Sequence, residues 1–199
     1  MKYGFIADIH LSVTDSLSPI DPSISLSIRN IDKLNAIEEA LKISIKKGCE
    51  AFFFLGDIYD KLNPTERLKE AFLRTILPYS KEIDIYIFPG NHDGADFTNN
   101  YLSETVILEG LDIPPLKVIH TPTTLYLNKG KDKFLIIPWI ADHRVIKDII
   151  DEQEEGLILL AHLEVFGAIT STEYQITQGL HPSVFQKFKF CAFGHYHRH

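Results

Sequence analysis

Five hydrophobic runs in this chain each end in residues that bind metal ions. The runs KYGFIA, CEAFFFL, IDIYIFP, GLILLA and FKFCAF lead into Asp8-Ile9-His10, Gly56-Asp57, Gly90-Asn91-His92-Asp93, Ala161-His162 and Gly194-His195-Tyr196-His197. Each run has the length and composition of a strand. Loops at the carboxyl ends of neighbouring parallel strands meet in space, so five such loops can build one site from most of the chain. Asp, Asn and His gathered in one place are ligands for divalent transition metals.

Spacing inside the motifs agrees with that reading. Side chains two apart on an extended chain point the same way. Asp8 and His10 can therefore reach one ion, and His195 and His197 repeat the arrangement. A lone Asp-x-His is weak evidence, and a histidine such as His162 after an apolar strand is more often a hydrogen-bonded core residue. The joint occurrence is what counts: five of the 9 histidines stand at these strand ends, beside Asp8, Asp57 and Asn91. Gly56, Gly90 and Gly194 each precede a candidate ligand, where glycine allows close backbone approach.

Strand and helix alternate through the first half. A helix is expected from Ile31 to Lys47, on apolar steps Ile31, Leu34, Ile37, Leu41 and Ile45, with Asn30 as its cap and Gly48 as its stop. A second is expected from Asn63-Pro64 to Leu77. The stretch from His10 to Ile28 is long for a connection and polar. The second half reads as strands at 116–120, 123–127, 133–138, 157–161 and 189–193, with Asn128-Lys129-Gly130-Lys131 closing a hairpin and a short helix from Asp142 to Asp151. This order predicts an α/β fold, a sandwich of two mixed β-sheets flanked by helices. At 199 residues, 45% hydrophobic and 24% charged, the chain is expected to be a single domain over residues 1–199.

Composition removes several function classes. No apolar run approaches the roughly 20 residues of a membrane span. The amino terminus has no basic–apolar–small segment order, and Cys49 and Cys191 lie inside strand-like runs as buried thiols, so the cytoplasm is the expected location. A net charge of −7 argues against a broad nucleic-acid-binding surface. Lysines gather at 129, 131 and 133 and at 187 and 189, which reads as solvated surface.

The ordered set Asp-x-His, Gly-Asp, Gly-Asn-His-Asp, His and Gly-His-x-His resembles the calcineurin-like metallophosphoesterases, over residues 3–197. The resemblance implies two metal ions. Asp8, His10 and His197 would bind the first, Asn91, His162 and His195 the second, and Asp57 would bridge them. His92 would not be a ligand; it would contact the scissile phosphate and protonate the leaving oxygen, with Asp93 orienting it. Two cations would polarise the phosphoryl oxygens and acidify a water for in-line attack. The mixed nitrogen and oxygen set suits Mn first, with Fe, Zn or Co as other occupants. Ligand histidines must be neutral, so metal loading is expected to fail at acid pH.

Local features narrow the resemblance to the SbcD-type nucleases of the meiotic-recombination-11 family. Gly56-Asp57-Ile58-Tyr59-Asp60 resembles their GDIFD, Ile137-Pro138-Trp139 their IPW, and Gly179-Leu180-His181-Pro182 through CAFGHYHR their approach to the last motif. The position three residues after Asp57 is Asp60, as in bacterial and phage-like members. The likeness implies a DNA exo- or endonuclease core acting in repair or recombination, with an SbcC-type ATPase subunit as partner. The chain stops two residues past His197, before the further strands, DNA-selecting cap and ATPase-docking segment of such nucleases. It is expected to be a truncated core or a minimal phosphoesterase. A small-molecule or phosphoprotein phosphoesterase on the same site is the alternative, and a non-catalytic scaffold a remote one.

Overall fold

Ala51–Leu55 (β4) reads AFFFL, and every residue in it is buried. A strand that is apolar on both faces must be covered on both, and this demand organises the molecule. The computed structural model describes residues 1–12, 18–94, 116–170 and 172–196. β4 pairs in parallel with Tyr3–Ile6 (β1) on one side and Asp84–Phe88 (β5) on the other, and Leu116–Val118 (β6) extends the sheet beyond β5, also in parallel. A second four-stranded sheet runs Phe190–Gly194 (β10), Ile158–His162 (β9), Asp132–Ile137 (β8), Thr123–Leu127 (β7). Its first three strands are parallel, and β7 returns antiparallel through the expected hairpin, where Asn128, Lys129 and Gly130 all take positive φ.

The sheets face each other across an aromatic layer. Phe53 stacks on Phe5, Tyr86 and Phe134 at centroid distances of 5.7, 5.0 and 5.4 Å. The outer face of the first sheet packs Phe52, Phe54, Ile85 and Ile87 against two helices, Ile28–Lys46 (α1) and Glu66–Ile76 (α2). The second sheet packs Leu135, Ile137 and Leu159 against Ile146 and Ile150 of His143–Asp151 (α3). The expected α/β sandwich flanked by helices is therefore present. Of the two four-stranded sheets, the second carries the antiparallel pairing among the described residues.

Helix starts differ from expectation. α1 begins at Ile28, capped by Ser27, whose Oγ accepts the Asn30 amide at 3.2 Å. The apolar periodicity starts one turn later because Ile28 is exposed. Asn30, expected to be the cap, is buried and ties down the loop after β1. Its Oδ1 accepts Ser12 N at 3.0 Å and its Nδ2 donates to Ser12 O at 2.7 Å. α2 begins at Glu66, capped by Thr65 rather than opened by Asn63-Pro64. The polar stretch before α1 holds a small antiparallel pair, Ile20–Asp21 (β2) with Leu26–Ser27 (β3), turned by Asp21 accepting from Ser23.

Parallel pairing sends the chain ends of β1, β4 and β5 to one edge of the first sheet. The ends of β8 and β9 meet them there: Trp139 N donates to Pro89 O at 3.1 Å, and His162 Nδ1 lies 2.8 Å from Leu55 O. No helix among the described residues is long and apolar enough to cross a membrane.

Candidate metal centre

The loops after β1 and β4 run side by side. Asp8 N donates to Gly56 O, His10 N to Asp57 O, Leu11 N to Ile58 O, and Asp60 N back to Leu11 O, at 2.8–3.2 Å. This zipper holds Asp8, His10 and Asp57 in left-handed backbone conformations, with φ of 54°, 51° and 52°, and His195 sits at 112°. Non-glycine residues rarely adopt these angles, which cost of order 1–3 kcal/mol each and cluster at functional sites. Four candidate ligands share the feature, so the fold fixes their directions before any ion arrives.

His162 is the last residue of β9 and fully buried. The three motif glycines surround it. A Cβ on Gly56 would strike His162 Nδ1. One on Gly90 would strike Asp57 and come within 2.7 Å of His162 Cε1. One on Gly194 would strike Leu55 O and lie 2.7 Å from His162 Nδ1. Close approach is thus what these glycines supply.

A carbonyl can only accept, so His162 Nδ1 carries the proton that goes to Leu55 O. Its Nε2 lone pair then faces Asn91 Oδ1 at 3.0 Å and Asp57 Oδ2 at 3.3 Å. His195 Nδ1 also faces Asn91 Oδ1, at 2.9 Å. Electron pairs converge here, and a divalent cation satisfies them all. Asp57 Oδ1 accepts the His92 amide at 2.9 Å, while Oδ2 faces His162 and, at 3.7 Å, His10 Nε2. Asp57 thereby belongs to two ligand groups, Asp8–His10–Asp57 and Asp57–His162–His195, whose atoms lie within 4.8 Å of one another in each group. Asp8 Oδ1 accepts His195 N at 2.8 Å and joins the two halves. Burial opposes ionisation of Asp57, yet the His162 ring, the His92 amide and His10 outweigh it and hold the carboxyl below its usual range. Burial also opposes protonation of His162, and Asp57 reverses that and raises it. Burial and the neighbouring His162 lower His195.

His92 is exposed, and its Nδ1 lies 2.9 Å from the Asp60 carbonyl. The expectation that Asp93 orients this ring does not hold. The Asp93 carboxylate accepts three backbone amides instead, Gly90 N at 2.9 Å, Tyr59 N at 2.9 Å and Ile58 N at 3.2 Å. It clamps the loops after β4 and β5 together, because those amides point inward and have no strand partner. Burial pushes its carboxyl up to about 6 against the pull of the Tyr59 and Gly90 amides. Asp60 takes the place foreseen for Asp93: its carbonyl meets His92, and its carboxylate lies 3.8 Å from His10 Nδ1 and accepts from Ser12 Oγ.

Asp8, His10, Asp57, Asn91, His92, His162 and His195 come together; His197 lies outside the described residues. Three neighbours carried no role in the sequence reading. Trp139 stacks beside His195, with centroids 5.0 Å apart. Glu164 lies between His195 and His143. The signal for Glu164 was the same two-residue spacing after a strand end, His162-Leu163-Glu164. Three of the clustered lysines stay away from the site: Lys187 Nζ donates to Ile150 O at the end of α3, Lys133 pairs with Glu154, and Lys189 with Asp132, whereas Lys33 Nζ donates to His10 O. A cavity of about 520 Å³ beside His92 is lined by Asp60, Lys61, Leu62, Asn63 and Asn91. A larger depression of about 720 Å³ around Lys187 lies apart from this chemistry.

Comparison with known proteins agrees with this geometry. No curated protein matches the chain. Among solved structures, a dimetal phosphatase from Danio rerio superposes with a TM-score of 0.52 at 12% identity, over 85% of this chain and 71% of that one. A nuclease from Pseudomonas putida aligns over 88% of this chain and 67% of its own, with a TM-score of 0.39 and 14% identity. The profile of the calcineurin-like phosphoesterases matches residues 1–199. The chain therefore belongs to the calcineurin-like phosphoesterase family, whose members are hydrolases of phosphoesters.

Proposed function

We propose that the chain is a dinuclear-metal phosphodiesterase whose substrate is DNA. The observation that carries the dinuclear part is Asp57 Oδ2, which faces a histidine of each ligand group. In this reading Asp8, His10 and His197 hold one ion, Asn91, His162 and His195 the other, and Asp57 bridges. Mn fits the mixed nitrogen and oxygen donors best, ahead of Fe, Zn or Co. When bound, the two ions supply Lewis-acid polarisation of the phosphoryl group and acidify a water for attack.

The chain's own groups do the rest. The Asp60 carbonyl takes His92 Nδ1–H, so the imidazolium form of the ring presents Nε2–H, the proton that passes to the leaving oxygen. Asp93 fixes the loop that carries both His92 and Asn91. The open cavity beside His92 gives the leaving strand a path. Support for DNA comes from the nuclease-like Gly56-Asp57-Ile58-Tyr59-Asp60 and Ile137-Pro138-Trp139 segments. A role in repair or recombination, an SbcC-type ATPase partner and a cytoplasmic location belong to the same proposal; two free cysteines accord with the last.

Manganese titration and hydrolysis assays test it. Two ions per chain and turnover of bis(p-nitrophenyl) phosphate are expected. Mn-dependent degradation of DNA ends is expected as well. Turnover of the small diester with no DNA degradation would assign the site to small-molecule or phosphoprotein substrates.

A further inference from the structure

Glu164 stands two residues beyond His162, and its carboxylate lies between two imidazoles. Oε2 is 3.0 Å from His143 Nε2, and Oε1 is 3.6 Å from His195 Nε2. The opposite nitrogen of His195, Nδ1, faces Asn91 Oδ1 within the ligand cluster. The ring is therefore approached on one edge by a carboxylate and on the other by the cluster, with Trp139 packed against it. All three side chains are largely shielded, with exposures of 27% for Glu164, 26% for His143 and 16% for His195.

The backbone that presents Glu164 is held as firmly. Glu164 O accepts Leu180 N at 2.9 Å, and Val165 bridges Leu180. Gly179 sits directly against it at φ +97°, where a Cβ would come within 2.6 Å of Glu164 O. The Gly179-Leu180 segment thus has a physical task, fixing the residue that reaches His195.

An imidazole can offer a lone pair from one nitrogen only while its proton sits on the other. His162 settles this with the Leu55 carbonyl. Among the described residues, the group that faces His195 Nε2 is the Glu164 carboxylate. We propose that Glu164 is a positioning residue for His195. It draws the ring proton to Nε2, which commits Nδ1 to the ion, and His143 anchors its second oxygen. The present 3.6 Å exceeds a hydrogen bond by roughly half an ångström, a gap that a small torsion of either side chain closes. A carboxylate behind a ligand histidine fixes its tautomer and raises its basicity, and losing such a partner typically costs about 10–100-fold in metal affinity.

The inference rests on the dinuclear reading. Calorimetric titration of Mn²⁺ into metal-stripped protein separates the two. Wild type is expected to bind two ions. Glu164→Ala is expected to bind one of them about 10–100-fold more weakly and the other unchanged. Glu164→Gln, which keeps an acceptor oxygen, should recover part of that loss, and His143→Ala should fall between wild type and Glu164→Ala. Melting temperatures of the stripped proteins should coincide. Wild-type affinity for both ions in Glu164→Ala overturns the proposal, and complete loss of one ion overturns it by marking Glu164 as a direct ligand. If Glu164→Ala melts early when stripped, Glu164→Gln and His143→Ala decide, and wild-type binding by both overturns it. A wild type that binds fewer than two ions overturns the dinuclear reading itself.

Discussion

Asp57 meets opposed requirements with its two oxygens. Oδ1 is committed to the His92 amide, so the segment that carries His92 and the Asp57 carboxylate are one mechanical unit. Oδ2 faces His162 and His10. Asp57→Ala is therefore expected to lose metal occupancy and turnover together. His92→Ala removes a ring that packs edge-on to His10 but stands outside both ligand groups that share Asp57, so it should retain both ions while turnover falls about 10²–10⁴-fold. Metal analysis beside kcat for the two variants checks this; loss of metal in His92→Ala with unchanged turnover per ion would reverse the roles. Gly90→Ala is purely steric, since its new Cβ would meet Asp57 and His162. Overpacking of this kind costs about 1–3 kcal/mol. It should lower both the melting temperature of the metal-free protein and its Mn²⁺ affinity. At this scale most ligand identities were legible because strand-end chemistry is local. The task of Asp93 was not, because the three amides it serves belong to a different loop or to its own turn and only folding brings them to it.

Among the elements, α3 tests how far local chemistry carries. Asp142 caps it and pairs with Arg144, whose guanidinium and amide lower the Asp142 carboxyl to about 2 from 3.8. Its native value lies below its unfolded value, so this contribution is present above about pH 4 and fades as pH falls toward 2. The melting-temperature gap between wild type and Asp142→Ala should be full at pH 6 and shrink on acidification from about pH 4; a gap constant across that range would place the effect in the backbone cap alone. The run from Asp142 to Asp151 was readable because cap and apolar spacing coincide there. For α1 they do not: Ser27 opens the helix, but the apolar positions begin a turn later, and Asn30 is drawn instead to Ser12. A cap is decided by competition for nearby amides, which the sequence leaves open when several polar residues stand in a row.

For the whole molecule, the aromatic layer between the sheets sets the distance at which the two sets of strand ends meet. Phe53 is fully buried and touches rings from both sheets. Phe53→Ala should destabilise the protein by about 3–5 kcal/mol, measured by denaturant unfolding. In whatever fraction remains folded, Mn²⁺ affinity should also fall, because the candidate ligands Asp57 and His162 stand just after β4 and at the end of β9. The sequence by itself determined the candidate ligand types, the order in which they occur and the strands that deliver them, since each motif is a few residues long and its strand signal is continuous with it. Only the tertiary structure decided which ligand atoms face one another, that Asp60 and not Asp93 meets His92, and that Glu164 reaches His195. Those relations join residues far apart in the chain. They depend on strand order, sheet spacing and the tight approach of Gly56, Gly90 and Gly194 around one buried histidine.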